Sequence, residues 1–261
     1  MENNVFEVKD LCFAYSEDTP ILRHLDFGIK EGKITTIMGA NGCGKSTLFQ
    51  LLTKNLVPNI GQINLRNKDI DNIELKNYAK KVAIVNQYNN APDDLKVKEL
   101  VEYGRTPYQS FKTDKKELEY GAKKVEQAMK ITGVYQFKDR TVNSLSGGQK
   151  QRVWIAMAIA QGTKILFLDE PTTYLDVKYQ LQILRLVKAL NENFKMTIVM
   201  VLHDINQALV YSDEIIALSQ RGTIIAKGKP EEVINTQVID KMYGINLEAI
   251  EVKGKPFILT V

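Results

Sequence analysis

The stretch GANGCGKST, residues 39 to 47, constrains this chain more than any other feature. It follows a short apolar run, ITTIM, with the length and composition of a buried strand. It precedes KSTLFQLLTK, which reads as a helix ending near Asn55, with Pro58 just beyond. Glycines allow the backbone to turn its N–H groups inward and to approach oxygen atoms closely. The helix that follows adds unpaired donors and the positive end of its dipole. A strand, an amide-lined turn and a helix in this order form a cradle for phosphate oxygens, and they imply an α/β sheet. Gly39 to Ser46 fit G-x-x-x-x-G-K-[ST] without a mismatch. In this pattern Lys45 reaches the β- and γ-phosphates, Ser46 offers a hydroxyl to Mg²⁺, and Thr47 contacts the α-phosphate.

Around this loop the chain reads as strands at VFEVKDLCFAY and HLDFGIK, then β-α alternation through GQINL and KVAIV. A helical block follows, with KVKELVEYG, then TDKKELEYGAKKVEQAMKITG capped by Thr113 or Asp114, then QKQRVWIAMAIAQG stopped by Gly162. Alternation resumes with KILFLDE, VKYQLQILRLVKALNEN, MTIVMVLH, DINQALVYS, EIIAL and TIIAKG. Two short helices, PEEVIN and TQVIDKMYG, and a closing hairpin within LEAIEVKGKPFILTV complete it. This order predicts a mostly parallel α/β core with a helical subdomain inserted at about residues 88 to 160.

Charge and cysteine content narrow the class. Net charge is +4, from 35 basic and 31 acidic residues, with no long basic run, which argues against a nucleic-acid partner. The N-terminus, MENNVFEVKD, is too polar for a secretory leader. The apolar runs ILFL and TIVMVL are far shorter than the ~18 residues of a membrane span. Cys12 lies in a strand and Cys43 in the glycine loop; they are not excluded from pairing, but a reduced compartment is the expectation. Cys43 stands at a helix start two residues before Lys45. It is expected to be a reachable thiolate that bound MgATP would cover, with Cys12 slower to react. The opposite arrangement, with the Cys43 sulfur turned into the protein, stays open. His24 has no motif around it and reads as structural.

A phosphate loop alone leaves kinases, GTPases and motors open. A GTPase should carry an N-K-x-D reader; RNKDI has its aspartate, Asp69, one place early. The second signal is KILFLDE, which presents Asp169 at a strand end for the Mg²⁺ shell and Glu170 beside it as acceptor for a proton from an attacking water. The third is NSLSGGQKQR, residues 143 to 152, where a serine and two glycines begin a helix and make a second anion-binding terminus. One nucleotide needs one cradle at its γ-phosphate. Two cradles in one chain imply that the second serves another copy's ATP, in a head-to-tail pair. A structural helix cap is the competing explanation.

These residues resemble the ATP-binding subunits of ABC transporters. LSGGQ, Leu145 to Gln149, is similar to that family's signature and lies between a Walker A loop (Gly39 to Thr47) and a Walker B strand (Ile165 to Glu170). Tyr15 in FAYSED matches the aromatic that stacks on adenine, Gln87 in AIVNQ the Q-loop glutamine, Asp176 the end of the D-loop, and His203 in MVLHD the switch histidine. The resemblance covers about residues 5 to 240, with 241 to 261 a short β extension. It implies a P-loop NTPase (RecA-like) core with N-terminal antiparallel strands and an inserted helical signature subdomain.

As sites, the resemblance implies Glu170, His203 and Gln87 for catalysis. It implies Tyr15, Gly39, Asn41, Gly42, Gly44, Lys45, Ser46, Thr47, Ser146, Gly147, Gly148, Gln149 and Asp176 for ATP, and Ser46, Gln87 and Asp169 for Mg²⁺. It implies as partners a second copy in an ATP sandwich, separate integral membrane permease subunits and, indirectly, an extracytoplasmic solute-binding protein. The expected location is peripheral, on the cytoplasmic face of the membrane. VEYGRTPYQSF looks like the GR-x-P segment of importers of iron(III)–siderophores, haem and cobalamin, and DEPTTYLD and LHDINQALVYSDEIIAL favour the iron–siderophore members. Haem or cobalamin import is the alternative. A soluble ABC ATPase of DNA repair or translation would carry coiled-coil insertions or a second cassette, which this chain lacks.

Overall fold

Alternation of apolar and polar side chains builds the first sheet. In β1 (Asn4–Ala14) Phe6, Val8, Leu11 and Phe13 are buried, and in β2 (Pro20–Lys30) Leu22, Leu25, Phe27 and Ile29. The two strands are antiparallel, and β1 also pairs antiparallel with β4 (Ile60–Leu65), which continues to the two-residue β5 (Lys68–Asp69), in the order β2-β1-β4-β5. The computed structural model describes residues 3–16, 19–109, 114–245, 247–252 and 255–259. They divide into two units, Met1–Ile73 with Asn191–Val261, and Glu74–Leu190.

In the first unit, β3 (Ile34–Met38) is buried throughout and lies between β8 (Thr197–Val201) and β9 (Glu214–Leu218), parallel to both. Strands covered on both faces read as continuous apolar runs rather than alternating ones, which is why ITTIM, TIVMV and EIIAL look alike. β10 (Ile224–Gly228) adds antiparallel to β9. Helix α1 (Lys45–Leu52) leaves the loop after β3 and stops three residues short of the expected Asn55. There the Thr53 hydroxyl donates back to the Phe49 carbonyl, and Lys54 takes a left-handed φ of 62°. Asp204 caps α7 (Ile205–Tyr211), accepting from the Gln207 N–H. Helices α8 (Pro230–Val233) and α9 (Thr236–Tyr243) follow, and the expected closing hairpin is β11 (Ala249–Val252) with β12 (Lys255–Ile258).

The second unit begins with α2 (Leu75–Ala79), a five-residue helix with no sequence signal strong enough to announce it. It contains the parallel pair β6 (Val82–Val85) and β7 (Ile165–Leu168) and most of α6 (Val177–Phe194). Between β6 and β7 stand α3 (Val97–Tyr103), α4 (Lys115–Ile131) and α5 (Gly147–Ala160). Their shared core includes Val97, Val101, Val125, Met129, Val153 and Ala156, with Trp154 packed against it. Asp114 caps α4, its carboxylate accepting from the Glu117 N–H at 2.8 Å; Thr113, the other candidate, lies outside the described residues.

The GRTPY segment ties these helices together. Arg105 is only 6% exposed. Its Nη1 donates to the carbonyls of Ala160 and Gln161 at the C-terminus of α5, at 3.1 and 3.2 Å, and its Nη2 to Glu117 of α4 at 2.7 Å. The guanidinium also stacks 3.9 Å from the Tyr108 ring centroid. A cation at the negative end of α5 answers both the helix dipole and its unpaired carbonyls.

Candidate functional site

The first unit carries the glycine loop. Gly44 caps α1 with φ 100°, a left-handed conformation open to glycine, and a Cβ there would come within 2.6 Å of Leu22. The first turn of α1 has no acidic residue, so the helix itself places no carboxylate at the positive end of its dipole. Lys45 is 5% exposed, and its ammonium donates to the carbonyls of Gly39 and Ala40, both at 2.9 Å. The cation is thus held against the carbonyls of the turn itself. Asn41, Gly42 and Ser46 are exposed, while Thr47 is buried.

Tyr15, 64% exposed, presents its ring at the end of β1. Phe13 holds it edge-on at 4.9 Å, and its hydroxyl lies 3.5 Å from Thr47 Oγ1. A hollow of about 520 Å³ is lined by Phe13, Ala14, Tyr15, Ser16, Leu22 and Asn59, among others. An exposed aromatic beside a hollow, linked to the phosphate loop, offers a face to a planar base. His203, exposed after β8, stands immediately before the Asp204 cap of α7.

Cys43 corrects the sequence expectation. It is 2% exposed, and a Cβ on Gly39 would come within 2.6 Å of its sulfur, so the side chain packs under the loop rather than out of it. Burial pushes its thiol pKa up, and the nearby Lys45 charge only partly opposes this. Cys43 is a small core residue, and a free thiol like Cys12.

The second unit carries the acidic pair and the second glycine turn. Asp169 and Glu170 leave β7, and the Asp169 N–H donates to the Val85 carbonyl at the end of β6. Glu170 adopts φ 46°, a left-handed backbone rare outside glycine. Its Oε2 accepts from Gln87 Nε2 at 2.5 Å and from Thr173 Oγ1 at 3.1 Å, so two donors fix the carboxylate. Gln87, donating through its amide nitrogen, presents its carbonyl oxygen as an acceptor. Within this unit the Asp169 carboxylate and the Gln87 carbonyl are oxygen donors of the kind that Mg²⁺ takes.

Ser146 and Gly147 are exposed at the start of α5, and Gly148 is buried. Packing limits position 148 to glycine: a Cβ there would lie 2.7 Å from the Tyr179 ring. Gln149 turns back, its Oε1 accepting from the Ser146 N–H at 3.0 Å, one arm of a capping box. Asp176 is exposed. Sequence reasoning missed Thr173 and an exposed tyrosine pair: the hydroxyls of Tyr88, next to Gln87, and Tyr174, four residues after Glu170, lie 3.1 Å apart. This hydrogen bond holds the Tyr88 hydroxyl above its usual pKa range. No periodicity or motif joins residues 86 positions apart.

Comparison with known proteins agrees with this set of features. The family model described as ABC transporter matches residues 22–173. The petrobactin import ATP-binding protein FpuD of Bacillus anthracis is 45% identical over 237 residues, 91% of this chain and 85% of that protein. The iron(3+)-hydroxamate import ATP-binding protein FhuC of Bacillus subtilis (strain 168) is 40% identical over 251 residues, 95% of this chain and 90% of that one. Among solved structures, the dimeric post-hydrolysis state of the ATP-binding cassette MJ0796, bound to ADP and Pi, superposes with a TM-score of 0.73 at 30% identity, covering 86% of this chain and 98% of that chain.

Proposed function

The chain belongs to the ABC transporter family, and on that premise we propose that it is the ATP-hydrolysing subunit that drives import of an iron(III)–siderophore through separate membrane permease subunits. The fold is that of ABC ATPases, and the chain is an ATPase. The observation that carries the substrate class is that relatives aligning over more than nine-tenths of this chain act in petrobactin and iron(3+)-hydroxamate import. No helix among the described residues is long and apolar enough to cross a membrane, which agrees with a permease made of other chains. The working position is peripheral, at the cytoplasmic face. The region of about residues 88 to 160, with α3, α4 and α5, is proposed as the signature subdomain within a 5–240 cassette, and residues 241–261 as a β extension.

In this reading each site residue has a role that its chemistry supports. Tyr15 stacks on adenine. The amides of Gly39 to Thr47 and the α1 terminus hold the phosphates, and Lys45 turns from the loop carbonyls to the β- and γ-phosphate oxygens. Ser46, Asp169 and Gln87 hold Mg²⁺, which when bound neutralises phosphate charge. Glu170, oriented by Gln87 and Thr173, accepts the proton of the attacking water, a contribution of roughly 10²–10⁴ in rate. His203 steadies the γ-phosphate or this base. Ser146, Gly147, Gly148 and Gln149, with Asp176, meet the ATP of a second copy in a head-to-tail pair, and a solute-binding protein outside the membrane delivers the chelate.

Growth under iron restriction tests the substrate class. A strain lacking this chain and any redundant ATPase should grow poorly on ferric siderophore as sole iron source and recover with ferrous salt. Normal siderophore-iron uptake in that strain would remove the assignment.

A further inference from the structure

The antiparallel sheet of the first unit carries a polar cluster outside the phosphate loop, one member of which, Cys12, also lines the hollow beside Tyr15. Leu11 and Phe13 of β1 are buried, so Asp10 and Cys12, on either side of Leu11, share the opposite face. The neighbouring β2 brings His24 to the same place. Asp10 Oδ1 lies 2.7 Å from His24 Nδ1, the His24 N–H donates to Cys12 Sγ at 3.2 Å, and one ligand atom from each of the three residues lies within 4.8 Å of the others. Asp10 and His24 are exposed, and Cys12 is half-buried.

Both Asp10 and His24 have a φ of 48°, at the stretch of β1 and β2 where the pairing register shifts. Two opposed irregularities therefore bring the three side chains together where a regular ladder would place them differently. Asp26 fixes the arrangement further, its Oδ1 accepting from the Asp10 N–H at 3.0 Å.

We propose that Asp10, Cys12 and His24 form a surface site for a borderline transition-metal dication of the zinc class, with water in the fourth position. Zinc bonds of about 2.0–2.3 Å to oxygen, nitrogen and sulfur place tetrahedral ligands ~3.3–3.6 Å apart, inside the spacing found here. The ion takes the place of the proton shared by Asp10 and His24. One thiolate and one carboxylate neutralise its two charges, and the His24 backbone N–H directs a donor at the sulfur. A thiolate with an imidazole selects zinc-like ions against Mg²⁺ and Ca²⁺, which take oxygen donors. The site is thereby distinct in chemistry from the oxygen donors proposed for Mg²⁺, Ser46, Asp169 and Gln87, and it does not depend on the transport assignment.

The test uses the reduced, nucleotide-free full chain, titrated with Co²⁺ as a spectroscopic stand-in for Zn²⁺ in the presence of excess Mg²⁺. One equivalent should produce thiolate-to-cobalt charge-transfer absorption in the near ultraviolet, and Zn²⁺ should displace it. The buried Cys43 contributes no such band. Cys12→Ser should abolish it. His24→Asn, whose side chain tolerates the same left-handed backbone, should weaken binding by at least ~10-fold, since even outer partners of a metal site are worth roughly 10–100-fold. Zn²⁺ should also protect Cys12 from alkylation in the wild-type chain. A band absent at stoichiometric Co²⁺, one that survives Cys12→Ser, or unchanged affinity in a folded His24→Asn chain would overturn the proposal.

Discussion

Removing the Arg105 side chain should unfasten the three-helix block. Arg105→Ala removes two bonds from a buried cation to the last carbonyls of α5, one to the Glu117 carboxylate and a stacking contact with Tyr108. Breaking a fully buried ion pair costs about 3–5 kcal/mol. Glu117 is partly exposed, with 37% of its side chain accessible, and rehydrates when abandoned, which moves the figure to the lower end, ~3 kcal/mol. The sole tryptophan, Trp154, lies on α5 against the block's core, so its fluorescence follows this unit alone during urea unfolding. At about 1–3 kcal/mol per molar urea, the Trp154 midpoint should fall by ~1–3 M. Arg105→Lys retains the charge but not the planar fork, and should fall between the two. A midpoint within ~0.3 M of wild type for Arg105→Ala would refute the reading of GRTPY as the clasp of this block.

Two further perturbations separate local chemistry from assembly. In the folded chain at pH 8, Cys43 should alkylate ~10-fold or more slowly than Cys12, because burial raises its thiol pKa and keeps it protonated; mass spectrometry showing Cys43 labelled first would contradict the inward placement. Ser146→Arg, at an exposed position, should leave ATP binding by each chain intact by calorimetry while abolishing cooperative hydrolysis, and retained cooperativity would exclude the head-to-tail pair.

Much of the fold was legible because its strongest elements are dictated locally. A continuous apolar run before a glycine turn forces β3 and α1, and the alternation in β1 and β2 forces the antiparallel sheet. Where competing local bonds decide, the sequence was less informative: α1 ends at Leu52 because Thr53 bonds backward, and α2 is too short to show a period. Cys43 was misjudged because nearness to Lys45 in sequence says nothing of which side of a loop a sulfur faces. GRTPY looked like a family marker, and its arginine proves to hold α5 to α4. Gly148 was read for phosphate, yet the Tyr179 ring already forbids a larger residue there. The Tyr88–Tyr174 pair and the Thr173 hold on Glu170 are long-range or turn-dependent contacts that no spacing rule announces.

The central claim is that this chain hydrolyses ATP with Glu170 as the proton acceptor. Glu170→Gln keeps the side chain's shape and its hydrogen-bonding reach but removes its basicity, so single-turnover hydrolysis of MgATP by the purified variant tests the claim directly. The account predicts ATP bound with near wild-type affinity, turnover lowered by ~10²-fold or more, and an ATP-dependent dimer accumulating on size-exclusion chromatography. Wild-type turnover in Glu170→Gln, with ATP bound normally, would contradict it.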